Sequence, residues 1–455
     1  MDEAGQPRVV RVHRLMQELL VQNTHQDHTK SFQSHLNDHV EKRAECLVNA
    51  RNWSSAHWEI EAIVSLALLQ DEIGLPSAKT FLNNAGFFLY EVAQWPRAES
   101  CMRRVLEINE TNSQSNGCDV ARELNNLASL LLEIGRFKEA EALLRRALAL
   151  CGVEHVDYVN CLNNLADLLL AMGEFENAEP MFREALCILE KQKGPEHPDT
   201  ASCLNNLGRL LKSTNRVKES EVLLRRAVLI DEKNYGLDHV QVARSLNNLA
   251  ELLREAYRFK EAEPVYCRVI EIYKKQLDGE HPSFATILNN YALLLEATDC
   301  VGQAILLHKR ALAIWSRSYG LAHPQVATSR VNLGMCLLKT GQLEEAEQLF
   351  TQAIAIDEAN YGPDHPEVAA DLMNLVVVFQ IRKRLPEAKS YMRRVLQIFF
   401  RFSHSSGHEH YQSNGAVEMY VNLLASMGES HGEIITQLNA VGEEYGFKFG
   451  KGGTH

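Results

Sequence analysis

Amide side chains recur along this 455-residue chain at a regular spacing. Asn-Asn pairs stand at Asn83/Asn84, Asn125/Asn126, Asn163/Asn164, Asn205/Asn206, Asn247/Asn248 and Asn289/Asn290, and the second Asn continues alone at Asn332 and Asn374. A primary amide carries both donors and an acceptor, the complement of a peptide bond. A row of them can therefore hold an extended backbone without demanding one side-chain sequence. In the opposing reading each amide bonds its neighbour and only holds the row together. The two readings balance for the second Asn. The first Asn favours a ligand, because it is lost at Val331 and Met373. Three residues before the first Asn stand Arg122, Asn160, Ser202, Arg244, Thr286 and Thr328; four after it stand Ser129, Asp167, Arg209, Glu251, Leu293 and Met335. Arg209, Lys212, Arg244 and Arg254 would make the middle of this row basic, and arginine pairs bidentately with carboxylate. The competing reading pairs these cations with the chain's own Glu251 and Glu255.

Histidines also recur, at His155, His197, His239, His281, His323 and His365, each in the same place between repeats. A tetrahedral metal needs ligands within about 2.0–2.3 Å of one ion, which one His per repeat cannot supply, so a turn or helix-cap hydrogen bond is expected. His25, His28, His35 and His39, with Asp27 and Asp38, are denser, as are His404, His408 and His410; both groups read as solvated polar segments. The ten cysteines include no Cys-x-x-Cys. Cys187, Cys203, Cys267 and Cys336 fall in helical patterns, where a reduced thiol acts as a small hydrophobe. No metal or cofactor is expected, and chelators should leave stability unchanged. No Gly-x-Ser-x-Gly, His-Glu-x-x-His or Gly-x-x-x-x-Gly-Lys-Ser/Thr occurs, so no enzyme is expected.

The elements that carry these residues follow from the period. Steps between second Asn residues are 42, 38, 42, 42, 42, 42 and 42. Fourteen residues on stand Ala98, Ala140, Ala178, Ser220, Ala262, Ala304, Ala346 and Ala388; seven further stand Val105, Ala147, Ala185, Ala227, Val269, Ala311, Ala353 and Val395. Each unit reads as two helices. In one unit Leu204, Leu207, Gly208, Leu210 and Leu211 give the first apolar stripe, and Val222, Leu223, Ala227 and Ile230 the second. Gly135, Gly173 and Gly341 mark the turn within a unit. Tyr235-Gly236, Tyr319-Gly320 and Tyr361-Gly362 mark helix ends, and Pro198, Pro282, Pro324 and Pro366 helix starts. The 38-residue step removes about one helical turn from one second helix, so the superhelix should continue with a local dent.

The net charge of −12 argues against a general nucleic-acid or anionic-membrane binder. No apolar run approaches the roughly 20 residues of a membrane span, and Met1 to Leu20 does not read as a secretory signal, so a cytoplasmic location is expected. Residues 1–78 read as an N-terminal helical cap, 79–400 as eight repeats, and 401–455 as a loop, through 415, and a degenerate C-terminal helical cap.

Tyr361-Gly-Pro-Asp-His-Pro-Glu-Val-Ala369, Leu-Asn-Asn-Leu-Ala and Arg-Phe-Lys-Glu-Ala-Glu together resemble the 42-residue tetratricopeptide repeats of kinesin light chains and of nephrocystin-like and bacterial repeat proteins. The resemblance implies an all-α, right-handed superhelical solenoid of helix-turn-helix repeats whose first helices line a concave groove. It implies a scaffold or adaptor that binds a protein or peptide partner. Together with the basic residues, it predicts an extended, partly acidic peptide. His13 to Leu20 also resembles the end of the winged-helix region joining an NB-ARC-type ATPase to such repeats. That implies an alternative: the sensor half of a signalling ATPase without its nucleotide domain.

Overall fold

The computed structural model describes residues 53–449 apart from 73, 75–76, 113–115, 154, 277–278, 407–409 and 411. The His25–His39 cluster, His408 and the His13–Leu20 segment lie outside the described residues. Among the described residues there are nineteen α-helices and no strand. A leading helix α1 (Trp53–Glu72) precedes eight helix pairs: α2 (Ala78–Glu91) with α3 (Trp95–Thr111), α4 (Gly117–Glu133) with α5 (Phe137–Leu150), α6 (Val156–Ala171) with α7 (Phe175–Gln192), α8 (Pro198–Ser213) with α9 (Val217–Tyr235), α10 (Val240–Glu255) with α11 (Phe259–Gln276), α12 (Pro282–Ala297) with α13 (Val301–Tyr319), α14 (Pro324–Lys339) with α15 (Leu343–Tyr361), and α16 (Pro366–Ile381) with α17 (Leu385–Ser406). Helices α18 (Ser413–Ser426) and α19 (His431–Gly442) and a short 3₁₀ turn close the array. Each helix packs on the one before and the one after, as a solenoid requires.

Local chemistry sets the boundaries. Six of the first helices, α6 to α16, begin at the recurrent histidine, whose Nδ1 accepts the backbone N–H two residues on at 3.1–3.3 Å. This is an N-cap bond to one of the donors a helix leaves unpaired. The turn inside every unit places one residue at positive φ: Ala93, Gly135, Gly173, Asn215, Tyr257, Asp299, Gly341 and Lys383. The small positions Ala98 to Ala388 and Val105 to Val395 are fully buried in all eight units. There the two helices of a unit meet, and extra volume would overpack the contact at about 1–3 kcal/mol.

Several details differ from the sequence reading. Val222 is 66% exposed, and α9 buries Ser220, Leu224, Ala227, Val228 and Ile230 instead. Cys187 and Cys267 are exposed, whereas Cys203 and Cys336 are buried. The expected loop from 401 begins later, because α17 continues to Ser406. Phe399 and Phe400 are buried and Phe402 meets Phe137 edge-on, so burial holds the last turns helical despite their Ser and His content. The 38-residue step does shorten a second helix: α5 has 14 residues where α9, α13 and α15 have 19.

The array also laps onto itself. The ring of His323, which caps α14, lies 3.2 Å through Nε2 from the carbonyl of Glu91, 232 residues earlier at the end of α2. Trp95 packs on Tyr361 at 5.1 Å, Phe137 on Phe402 at 6.3 Å, and α1 touches α13. The first two units therefore form a seam with the sixth to eighth. Burial holds the imidazoles of His323 and His365 down at about 4, so both are neutral near pH 7.

Candidate functional site

Successive first helices touch one another, α4 with α6, α6 with α8, α8 with α10, α10 with α12, and α14 with α16. This puts them on the shorter, concave circumference. The Asn pairs lie on these helices, and most of them form rungs between units. The second Asn of one unit donates through Nδ2 to the Oδ1 of the first Asn in the unit before: Asn164 to Asn125 (2.9 Å), Asn248 to Asn205 (3.2 Å), Asn290 to Asn247 (3.1 Å) and Asn332 to Asn289 (2.9 Å). Asn164 also reaches Ser129, Asn205 donates to Ser245, and both Asn247 and Asn290 donate to Glu251. Asn126 bonds Glu123 within its own helix. Asn247 and Asn289 are each only 8% exposed, so their amides serve the joint between units.

Two rungs are missing: at the first joint Asn83 and Asn126 both donate to Glu123 instead, and at the third the amides are left open. No hydrogen bond joins Asn163 and Asn206 among the described residues. Asn206 has no side-chain partner there, and Asn163 only accepts a long 3.9 Å contact from the Cys203 thiol. At this place the inner face opens into a cavity of about 540 Å³ lined by Arg122, Asn125, Asn126, Asp157, Asn160, Cys161, Asn163, Asn164, Ser202 and Asn206. Five of the predicted amides thus share one polar hollow with three of the variable positions that precede the Asn pairs. Asn160 and Ser202 are exposed. Arg122 reaches from α4 to Asp157 on α6 at 2.8 Å.

The predicted basic patch is largely neutralised from within. Arg209 bonds Asp167, Lys212 lies 3.5 Å from Glu251 and 3.1 Å from Glu255, and Arg254 lies 3.2 Å from Glu255. Arg244 is exposed and, among the described residues, bonds the amide oxygen of Gln241 at 3.2 Å. The period could have revealed these pairs: Arg209 and Asp167 are 42 apart and Lys212 and Glu255 are 43 apart, one unit along the ladder.

No described helix is long and apolar enough to cross a membrane. The family model for the tetratricopeptide repeat matches residues 77–152, 157–228, 214–275, 283–359 and 331–399, more than half of the chain. Among solved structures, the nearly identical TPR-like repeats of a kinesin light chain-type protein of Podosopora anserina are 26% identical, covering 44% of this chain and 96% of that one with a TM-score of 0.39. BtubC (BKLC) from P. vanneervenii is 27% identical over 51% of this chain and 92% of that one, at a TM-score of 0.39. A Rap protein complexed with competence and sporulation factor is 13% identical over 77% of this chain and 98% of that one, at 0.49. No curated protein sequence matches.

Proposed function

We propose that this chain, which belongs to the tetratricopeptide repeat family, is an interaction scaffold that holds an extended peptide against the inner face of its second to fourth units. The observation that carries this reading is the open rung at the third joint. Four other joints close amide rungs, and Asn83 and Asn126 both bond Glu123, but among the described residues Asn160, Asn163 and Asn206 keep donors that no side chain takes up, in a cavity of about 540 Å³. Such groups are solvated until a ligand arrives, and a peptide backbone offers both of the partners they need. Two or three bonds at about 0.5–1.5 kcal/mol each give modest backbone affinity, so neighbouring side chains must supply selectivity. Arg122 and Ser202 stand where they can do so. An acidic residue of the ligand must displace the protein's own carboxylates from Arg209, Lys212 or Arg254, whereas Arg244 needs no such exchange. Acidic character therefore contributes at the Arg244 end of the site.

Peptide display against the full chain, counter-selected with the Asn160→Ala/Asn163→Ala/Asn206→Ala variant, tests the reading. Enrichment of extended sequences that bind the parent at least ten-fold more tightly supports it. Selected peptides that bind both proteins equally contradict it.

A further inference from the structure

The shortened joint between the second and third units assembles a set of side chains found at no other joint. At each joint the residue four after the second small position faces the residue three before the second Asn. Asn109 donates to Glu123 at 3.3 Å, and Ser245 donates to Asp231 at 2.6 Å. These partners are 14 apart; at the shortened joint the corresponding residues, Cys151 and Cys161, are 10 apart. Cys118, the second residue of α4, and His155, the cap of α6, come to the same place. The ligand atoms of Cys118, Cys151 and His155 all lie within 4.8 Å of one another. Cys161 is 1% exposed and belongs to the same core cluster as Cys151, outside that group of three.

We infer that this joint is a zinc site, with Cys118, Cys151 and His155 as ligands and Cys161 completing a Cys₃His set. Three soft sulfurs and an imidazole are a donor set that zinc prefers. A tetrahedral ion with Zn–S bonds of about 2.3 Å holds its sulfurs roughly 3.8 Å apart, which asks Cys118, Cys151 and His155 to close by at most about 1 Å and Cys161 to turn in from further away. The ion has a way in, because the His155 side chain is 42% exposed and Cys118 is only partly buried. Ligation through His155 Nδ1 gives up its cap bond, which at 3.3 Å is the longest of the six. Ligation by thiolates releases their protons, so binding weakens as pH falls. Sequence spacing argues against a metal because no Cys-x-x-Cys occurs; the four-residue deletion brings together what spacing keeps apart.

A second group, Glu296, His308 and Cys336, is a poorer candidate. His308 is fully buried between Asn289 at 3.0 Å and Glu296 at 3.1 Å, and Glu296 also accepts from Lys339 at 2.9 Å. Its polar atoms are already paired, and His308 and Cys336 are fully buried.

The test is a titration of the reduced, chelator-stripped full chain with Co(II), followed by displacement with Zn(II). One equivalent of Co(II) with thiolate charge-transfer absorption, lost on adding Zn(II), is expected, and zinc should raise the melting temperature. Cys118→Ser should lower zinc affinity at least 100-fold. So should His155→Asn, which keeps an N-capping side chain and thus separates ligation from capping. Cys336→Ser should bind like the parent. No thiolate band in the parent overturns the proposal. So does parent-like binding by both Cys118→Ser and His155→Asn, or a band lost in Cys336→Ser and kept in the other two.

Discussion

Asn206 and Asn248 occupy the same place in successive units, yet their surroundings give them opposite duties. Asn248 closes a rung to Asn205 at 3.2 Å, whereas Asn206 faces the cavity without a side-chain partner. Asn248→Ala should cost about 1 kcal/mol, the net worth of one hydrogen bond. Asn206→Ala should cost nothing or stabilise slightly, since alanine favours helix. Urea unfolding of the two variants measures the difference; equal losses would mean that both amides are structural. The turn residues allow a second comparison. Lys383 sits at φ 57°, a conformation that costs an L-residue roughly 1–2 kcal/mol, so Lys383→Gly should stabilise by about 1 kcal/mol. Gly135→Ala should destabilise more than Gly173→Ala. Both force an alanine to positive φ, but only at Gly135 would the new Cβ stand 2.5 Å from the His365 ring. Similar melting temperatures for the two alanine variants would contradict the seam contact.

Between helices, the joint pairs determine how firmly one unit grips the next. Where a carboxyl stands at a joint it usually meets a neutral donor, as Asp231 meets Ser245 and Glu123 meets Asn109. At the joint between the seventh and eighth units, Asp357 faces Asp371, each 7% exposed, with Asp357 Oδ1 and Asp371 Oδ2 lacking partners among the described residues. Burial pushes both carboxyls up, Asp357 to about 7 and Asp371 to about 9, so the pair holds a proton near neutrality. A raised folded pKa stabilises below the unfolded value of about 3.9 and loses that stability as pH rises through the folded values. The joint should therefore weaken between about pH 4 and 9. Asp371→Asn supplies an amide for Asp357, as Asn109 does for Glu123, and should raise the melting temperature at pH 8 while flattening that slope. An unchanged pH profile would show that the pair does not share a proton. This scale also marks how far the sequence could be read. The small positions, the histidine caps and the shortened α5 each depend on one local spacing, and all are visible in the residues. The pairing of Arg209 with Asp167 needed only the 42-residue offset to be applied to charges as well as to amides. The seam was not readable, because it joins residues 232 apart and depends on rotation summed over six joints.

That seam makes the whole molecule sensitive to acid. Its imidazoles, His323 against the Glu91 carbonyl and the Tyr319 ring, and His365 against Tyr361 and Gly135, are held neutral by burial, as is the nearby His410. Their depressed pKa values mean that the seam's stability is present above the unfolded value of about 6.5 and is lost as pH falls toward about 4. Small-angle scattering should show the radius of gyration rising between pH 6.5 and 4.5 with helical content unchanged. A constant radius would mean that the lap does not depend on neutral histidines. The place where a ligand sits on the inner face is the central claim. Isothermal titration of a display-selected peptide against the parent, the Asn160→Ala/Asn163→Ala/Asn206→Ala variant, and a variant carrying Val222→Asp and Leu229→Asp on the exposed face of α9 tests that claim most directly. The account predicts at least a ten-fold loss for the amide variant, about 1.4 kcal/mol, and parent-like binding for the α9 variant; parent-like binding by the amide variant together with loss in the α9 variant would contradict it.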